Sequence, residues 1–243
     1  IIITNLLFLE DHVRPLVPLL QARRDSCDAM IGVICDASLV KLTKMGALDM
    51  GSPQSSTMSL LKRLRGSSKP GVESGAKKMR MLRRLPKILK FIPGKAQDLR
   101  AWFLVMQYWM GGTDENIAAM LRFLLSRYCR MPQWQNRAAP EPKMYPELGL
   151  YHPDVPDRIT EDLGDLPRLS QPVATVGLLL MRSYVLSGDT AHYDAVIAAY
   201  TARNIQVIPA FASGLDNRPA IETFFKSEEG AQIDALVSLT GFS

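Results

Sequence analysis

Apolar positions recur along this chain in two rhythms. The N-terminal fifty residues carry short unbroken runs, Ile1–Ile3 and Ala29–Cys35 (AMIGVIC), of the kind expected for strands buried on both faces. Between them PLVPLLQ (Pro15–Gln21) reads as a helix, with Pro18 either bending it or lying in its first turn. Asp36-Ala37-Ser38 supplies caps for a further helix expected to run through Met45 and to end at Gly46. Residues 173–243 return to the same alternation. A strand is expected at Val173–Met181, then a helix capped by Asp189 or Thr190 and running to Arg203, with Asn204 as a left-handed stop. A second strand at Ile205–Phe211, a short helix from Arg218 to Lys226 begun near Pro219 and a third strand at Ile233–Leu239 complete the pattern.

The middle of the chain follows the helical period. Leu82, Leu85, Ile88, Leu89 and Ile92 fall three and four apart, one face of a helix that Pro86 kinks or starts and Pro93-Gly94 ends. Gln97–Trp109 reads as a second helix stopped by Gly111-Gly112. Thr113–Asn116 reads as a cap, with Asn116 or Asp114 near the first turn, for a third helix at Ile117–Tyr128. Residues 51–76 are rich in Gly, Ser, Pro and Lys, and within them Gly66–Gly71 (GSSKPG) reads as a mobile loop. Residues 132–172 hold prolines at 132, 140, 142, 146, 153, 156, 167 and 172, a density that argues against long helices or central strands. The expected fold class is α/β, with two Rossmann/flavodoxin-like parallel-sheet units and an inserted basic helical segment. The expected division is an α/β unit at 1–135 with its insert at about 54–131, a proline-rich connector at 136–172, and the start of a second, truncated α/β unit at 173–243. Because the chain opens and closes inside apolar runs, it is expected to be a piece of a longer one.

Composition changes this picture little: 47% hydrophobic and 22% charged residues describe an ordinary globular chain. Charge is more informative. The net +5 is uneven, because Lys62–Arg100 carries thirteen basic residues and only Glu73 and Asp98 as acids. Such a block suits phosphate, acidic lipid, an acidic partner or a substrate carboxylate, and serves equally as a solvated helix face. Nucleic acid is disfavoured, since the basic residues lack interleaved aromatics and any recognised motif. Cys27, Cys35 and Cys129 form no CxxC pair and read as reduced thiols, pointing to a cytoplasmic protein. Val173–Leu180, the longest apolar candidate, is far short of the ~18 residues a spanning helix needs.

In open α/β sheets ligands sit beyond the C-terminal ends of the strands. Four segments fall there: Thr4–His12, Arg182–Tyr193, Ala212–Asp216 and Thr240–Ser243. His12 beside Glu10 and Asp11 could bind a metal or act as a base, or simply cap a helix; no HExxH or Cys/His spacing supports a metal, and none is expected. His192 could meet an anion or an axial metal position, or donate to backbone in a first turn. Gly188 and Gly214 lack any phosphate-loop pattern and read as turns. Trp102, Phe103, Tyr108 and Trp109 could form a platform for a planar ligand, though at helical spacing they more often pack a core. No nucleophile elbow is present, and the catalytic residues are left unassigned.

Several segments together resemble the magnesium chelatase large-subunit family, whose members hold the porphyrin. They are LLQARRD (Leu19–Asp25), LRRLPKILKFIP (Leu82–Pro93), QYWMGGTDEN (Gln107–Asn116), GLYHP (Gly149–Pro153), VGLLLMRSYVLSGDTAHYDAVI (Val176–Ile197), VIPAFASGLDNRPAIETFF (Val207–Phe225) and DALVSLTGFS (Asp234–Ser243). The likeness is to the bacterial, bacteriochlorophyll-pathway form more than to the plant form, and residues 154–172 are its weakest part. The related cobaltochelatase large subunit of cobalamin synthesis shares the later segments and is the alternative; a purely structural head domain is a third reading. The resemblance implies an N-terminal fragment of a longer subunit that inserts Mg²⁺, the substrate metal, into protoporphyrin IX. It implies two AAA+-type partner subunits that hydrolyse ATP, a downstream methyltransferase as a further partner, and at most peripheral contact with membranes. The fragment itself is expected to serve in porphyrin capture, docking or scaffolding, with no cofactor of its own. The family's metal-handling residues lie in later parts of its chain, so none transfers to this one. Porphyrin is planar and carries two propionates, so Arg182, Tyr184 and His192, which follow a strand, are the candidate substrate-binding residues.

Overall fold

The computed structural model describes residues 1–5, 14–33, 37–52, 85–135, 137–214 and 216–241. The chain forms two compact units, Ile1–Lys143 and Met144–Ser243. The division falls inside the proline-rich stretch.

In the first unit, strand β1 (Ile2–Thr4) is followed by helix α1 (Leu16–Arg23) and strand β2 (Ala29–Gly32), with Pro18 in the first turn of α1. β1 and β2 pair in parallel, Ile2 opposite Met30. Helix α2 (Ala37–Lys41) follows, then strands β3 (Lys44–Met45) and β4 (Leu48–Asp49), in the sheet order β1-β2-β3-β4. Here the helix expected to reach Met45 stops four residues early. The buried Thr43 explains why: its hydroxyl accepts from the Gly32 N–H at 2.9 Å and its carbonyl from the Met50 N–H at 3.0 Å, so the backbone leaves the helix and enters the sheet. Gly46 is the turn of the resulting β3–β4 hairpin (φ 56°), and a Cβ there would meet the Asp98 carboxylate. β3 runs antiparallel to both β2 and β4, so this sheet is mixed rather than the expected parallel one. Arg24, just past α1, ties that helix to the hairpin through the Leu42 carbonyl (3.0 Å) and the Asp49 carboxylate.

Helices α3 (Lys95–Gly111) and α4 (Asp114–Tyr128) supply most of the remaining core of this unit. Gly112, at φ 63°, closes α3 by donating its N–H to the Tyr108 and Trp109 carbonyls. Thr113 caps α4, its hydroxyl accepting from the Asn116 N–H at 3.2 Å. The buried Asn116 side chain then pairs with both backbone groups of Lys143, each at 2.9 Å. Phe103 and Tyr108 are core residues, and the Trp102 indole donates to the Gly32 carbonyl at 3.2 Å. The aromatic stretch thus packs the interior and offers no planar platform. The expected Leu82–Ile92 face splits: Leu85 and Leu89 are buried, whereas Ile88 and Ile92 are exposed. Leu82 and the greater part of the basic block, at 53–84, lie outside the described residues.

The second unit is built on a five-stranded sheet. Strands β7 (Ala174–Met181), β8 (Ile205–Ala212) and β11 (Ala235–Ser238) run parallel, as the apolar runs predict. Alternate residues feed two cores. Val176, Leu178, Leu180, Val207 and Phe211 meet Tyr193 and Ile197 of helix α6 (Ala191–Thr201) on one face. Leu179, Ile208, Ala210 and Ala212 meet Ala220, Phe224 and Phe225 on the other. These last belong to helix α7 (Arg218–Ala220) and the wider π turn at Ile221–Phe225 that continues it. Helix α5 (Arg182–Ser187) follows β7 directly, and strands β9 (Lys226–Ser227) and β10 (Gly230–Ala231) form a small separate hairpin.

The expected connector at 136–172 is where the sequence reading errs most. It contains β5 (Leu148–Tyr151) and β6 (Ile159–Thr160), which join the sheet antiparallel in the order β11-β7-β8-β5-β6. β5 is an interior strand. Its four residues contain no proline; Pro146 and Pro153 flank it, outside the paired positions. The second sheet is therefore mixed as well, and two Rossmann-like parallel units do not describe the molecule. It is an α/β protein with parallel pairs extended by antiparallel strands.

Candidate functional site

Arg182, Tyr184 and His192 lie beyond the C-terminal end of β7, on α5 and the first turn of α6. Gly188, left-handed at φ 76°, ends α5 and lets the chain reverse between them. Tyr184 and His192 come together as exposed rings, 5.4 Å apart between centroids and edge to face. Both also touch the buried Tyr193, at 6.3 Å and 3.9 Å. Tyr193 anchors the group to the sheet, because its hydroxyl accepts from the Met181 N–H at 3.0 Å. Burial pushes the Tyr193 phenol up, so it remains a neutral hydrogen-bonding group.

Arg182 is placed differently. Its guanidinium donates to the carbonyls of Pro146 (2.7 Å) and Tyr145 (3.3 Å), tying the start of α5 to the segment that leads into β5. These are backbone-positioning bonds.

A second cluster, which the sequence analysis did not single out, adjoins the same first turn of α6. Tyr151 at the end of β5 donates its hydroxyl to Asp194, and Arg158 donates to the other carboxylate oxygen of Asp194 at 2.6 Å. Arg158 also donates to the Thr190 hydroxyl (3.1 Å) and lies over the Tyr151 ring, 5.3 Å from its centroid. Thr190 thus spends its side chain on Arg158 and makes no capping bond to α6. Burial, and next the bond to Asp194, push the Tyr151 phenol to about 12. Arg158 reaches this position through a turn in which Asp157 and Arg158 both adopt left-handed backbone, φ 57° and 60°. That conformation is costly for residues with a Cβ. His152 begins the same turn, with Nδ1 accepting from the Asp154 N–H at 3.2 Å, and burial holds its pKa below the ordinary value against the opposing pull of Asp154 and Asp194. The sequence signal for this cluster is the YHPDVPDR run, whose Pro-Asp steps announce a turn but not its partners, 32 to 43 residues away.

Glu10-Asp11-His12 lies outside the described residues, as do Leu215 and Phe242-Ser243. Asp216 is held by Arg218 through two bonds of 2.8 Å, which keep its carboxyl below the usual carboxylate range. Gly214 is a left-handed turn residue (φ 82°), and the Ser238 and Thr240 hydroxyls bond one another at 2.9 Å. An open groove of about 570 Å³ runs between Thr160–Leu163 and Thr223-Phe224. Its Glu161 and Asp162 would repel propionates, so it does not suit a porphyrin edge. Among the described residues no group of three or more His, Cys, Asp or Glu side chains converges as a metal site.

Comparison with known proteins places this sequence in a family. Residues 1–103 match the family described as Domain of unknown function (DUF3479), and residues 106–243 match CobN/Magnesium Chelatase. Over all 243 residues the chain is 59% identical to the magnesium-chelatase H subunit of Cereibacter sphaeroides and 55% identical to that of Rhodobacter capsulatus, in each case spanning 20% of the relative's length. The chloroplastic magnesium-chelatase ChlH subunit of Oryza sativa subsp. indica is 30% identical, with the whole of this chain aligned to 18% of that one. The chain thus spans about a fifth of the curated relatives it matches, and its similarity is greater to these bacterial forms than to the plant form. With more than half of its residues covered by that family's pattern, this chain belongs to the CobN/Magnesium Chelatase family.

Proposed function

We propose that the chain is part of the porphyrin-binding subunit of a magnesium chelatase, which inserts Mg²⁺ into protoporphyrin IX for bacteriochlorophyll synthesis. The observation that carries this reading is the whole-chain identity of 59% to a magnesium-chelatase H subunit. Cobaltochelatase is the less favoured alternative, because the relatives just compared are all magnesium-chelatase subunits. In this reading ATP is hydrolysed by AAA+-type partner subunits, a methyltransferase takes the product, and the assembly works in the cytoplasm. This part of the chain captures or positions the porphyrin and does not itself insert the metal.

The exposed Tyr184–His192 pair is the surface on which a porphyrin edge would rest, since both rings are open on one side and backed by Tyr193 on the other. Arg182 acts through the segment it holds, because its guanidinium is directed at backbone carbonyls. The test is a titration of the complete subunit with a water-soluble protoporphyrin analogue, followed by the shift of the porphyrin's own absorption band. Tyr184→Ala with His192→Ala is expected to weaken binding about tenfold, the value of one aromatic stacking contact. Unchanged affinity would leave this surface a scaffold and move the pocket to other parts of the subunit.

A further inference from the structure

We propose that the helix end and turn at residues 87–95, which lead into α3, dock the chain on an anionic lipid bilayer. Three large apolar side chains stand in solvent within five residues: Ile88 at 54%, Phe91 at 84% and Ile92 at 41% exposure. Lys87, Lys90 and Lys95, also exposed, surround them, and no ion pair joins these lysines to any described residue. No acid occurs in the sequence between Glu73 and Asp98. Asp98 itself is turned toward the β3–β4 hairpin, where it accepts from the Ala47 N–H and the Tyr128 hydroxyl, each at 2.8 Å.

The exposure belongs to an anchored structure. Leu85 and Leu89 are buried in the core of the first unit. The Gln97 amide of α3 reaches back to the carbonyls of Leu89 (2.9 Å) and Lys90 (3.3 Å), and Arg100 donates to the Pro86 carbonyl at 3.0 Å. With its carbonyls gathered inward, the turn presents Ile88, Phe91 and Ile92 outward. An apolar tip ringed by lysines fits a bilayer surface: the rings and alkyl groups enter the acyl boundary while the lysine stems extend to anionic headgroups. A protein partner is the poorer fit, since lysine is depleted in protein interfaces relative to the rest of the surface. The proposal does not rest on the porphyrin reading, and its test contains no porphyrin.

The test is co-sedimentation of the complete chain with vesicles of equal parts phosphatidylcholine and phosphatidylglycerol, against vesicles of phosphatidylcholine alone. Binding is expected to the anionic vesicles and to fade as salt is added. Lys87→Gln with Lys90→Gln should lower the partition coefficient about thirtyfold, from roughly fivefold per charge near an anionic surface. Phe91→Ser should lower it about tenfold or more. Neither variant should shift the thermal midpoint. The proposal is overturned if the complete chain ignores anionic vesicles or if the variants bind them as the parent does. It is overturned equally if Phe91→Ser lowers the thermal midpoint, because Phe91 is then covered by protein.

Discussion

Gly149 lies in the middle of β5, and a Cβ there would come within 2.8 Å of the Phe211 ring and 3.0 Å of the Thr160 carbonyl. Both neighbours are fixed: Phe211 is a buried core residue and Thr160 is backbone of the paired strand. Gly149→Ala is expected to destabilise the second unit by about 1–3 kcal/mol, the usual cost of overpacking, read as a lower urea midpoint with little change in slope. His152 makes a prediction of different form. Its folded pKa lies below the ordinary 6.5 because burial disfavours the charged ring. Stability from this neutral histidine is complete above 6.5 and is lost as the pH falls below that value, where the unfolded chain takes up the proton first. Thermal midpoints measured across that range should fall on the acid side, and His152→Gln, which keeps an acceptor for the Asp154 N–H, should flatten the fall. A midpoint that holds steady for the parent would remove His152 from the account. At this scale the sequence was least informative. Nothing local to Tyr151, Arg158 or Asp194 announces that they bond one another, because each bond spans more than thirty residues.

The elements were more legible. β7, β8 and β11 were readable because their sequences are predominantly apolar over strand length, and α3 and α4 because their stop and start carry Gly112 and Thr113. The Thr113 cap supports a direct test. Thr113→Ala removes the hydroxyl that accepts from Asn116 and also loosens the segment by which Asn116 holds Lys143, so a loss of about 1–2 kcal/mol is expected in chemical denaturation of the first unit. A Thr113→Ser variant should retain most of the stability, which a loss due only to side-chain packing would not allow. Two elements were misread for a common reason. The helix drawn through Met45 and the connector drawn through β5 were both inferred from punctuation residues, Gly46 and the prolines. Gly46 is equally at home in a hairpin turn, and prolines at 146 and 153 permit a four-residue strand between them. Local signals marked that the chain turns there without saying what it turns toward.

At the scale of the whole molecule, the sequence by itself determined the α/β class, the order of most helices and strands, and the family. Those rest on periodicity, on capping chemistry and on long segments of matching residues, all of which are written along one dimension. It also placed Tyr184 and His192 just past the end of a strand, where the structure has them on α5 and the first turn of α6. Only the tertiary structure decided that both sheets are mixed, that β5 joins β8 inside the second one, and that Arg182 serves the backbone while Arg158 joins Asp194. It alone separated the buried Leu85 and Leu89 from the exposed Ile88, Phe91 and Ile92, which the helical period had placed together on one apolar face or left unassigned. The physical reason is common to all of these. Strand partners, side-chain hydrogen bonds and burial depend on which distant segment arrives alongside, and that choice is made by packing across the fold rather than by the residues next in the chain.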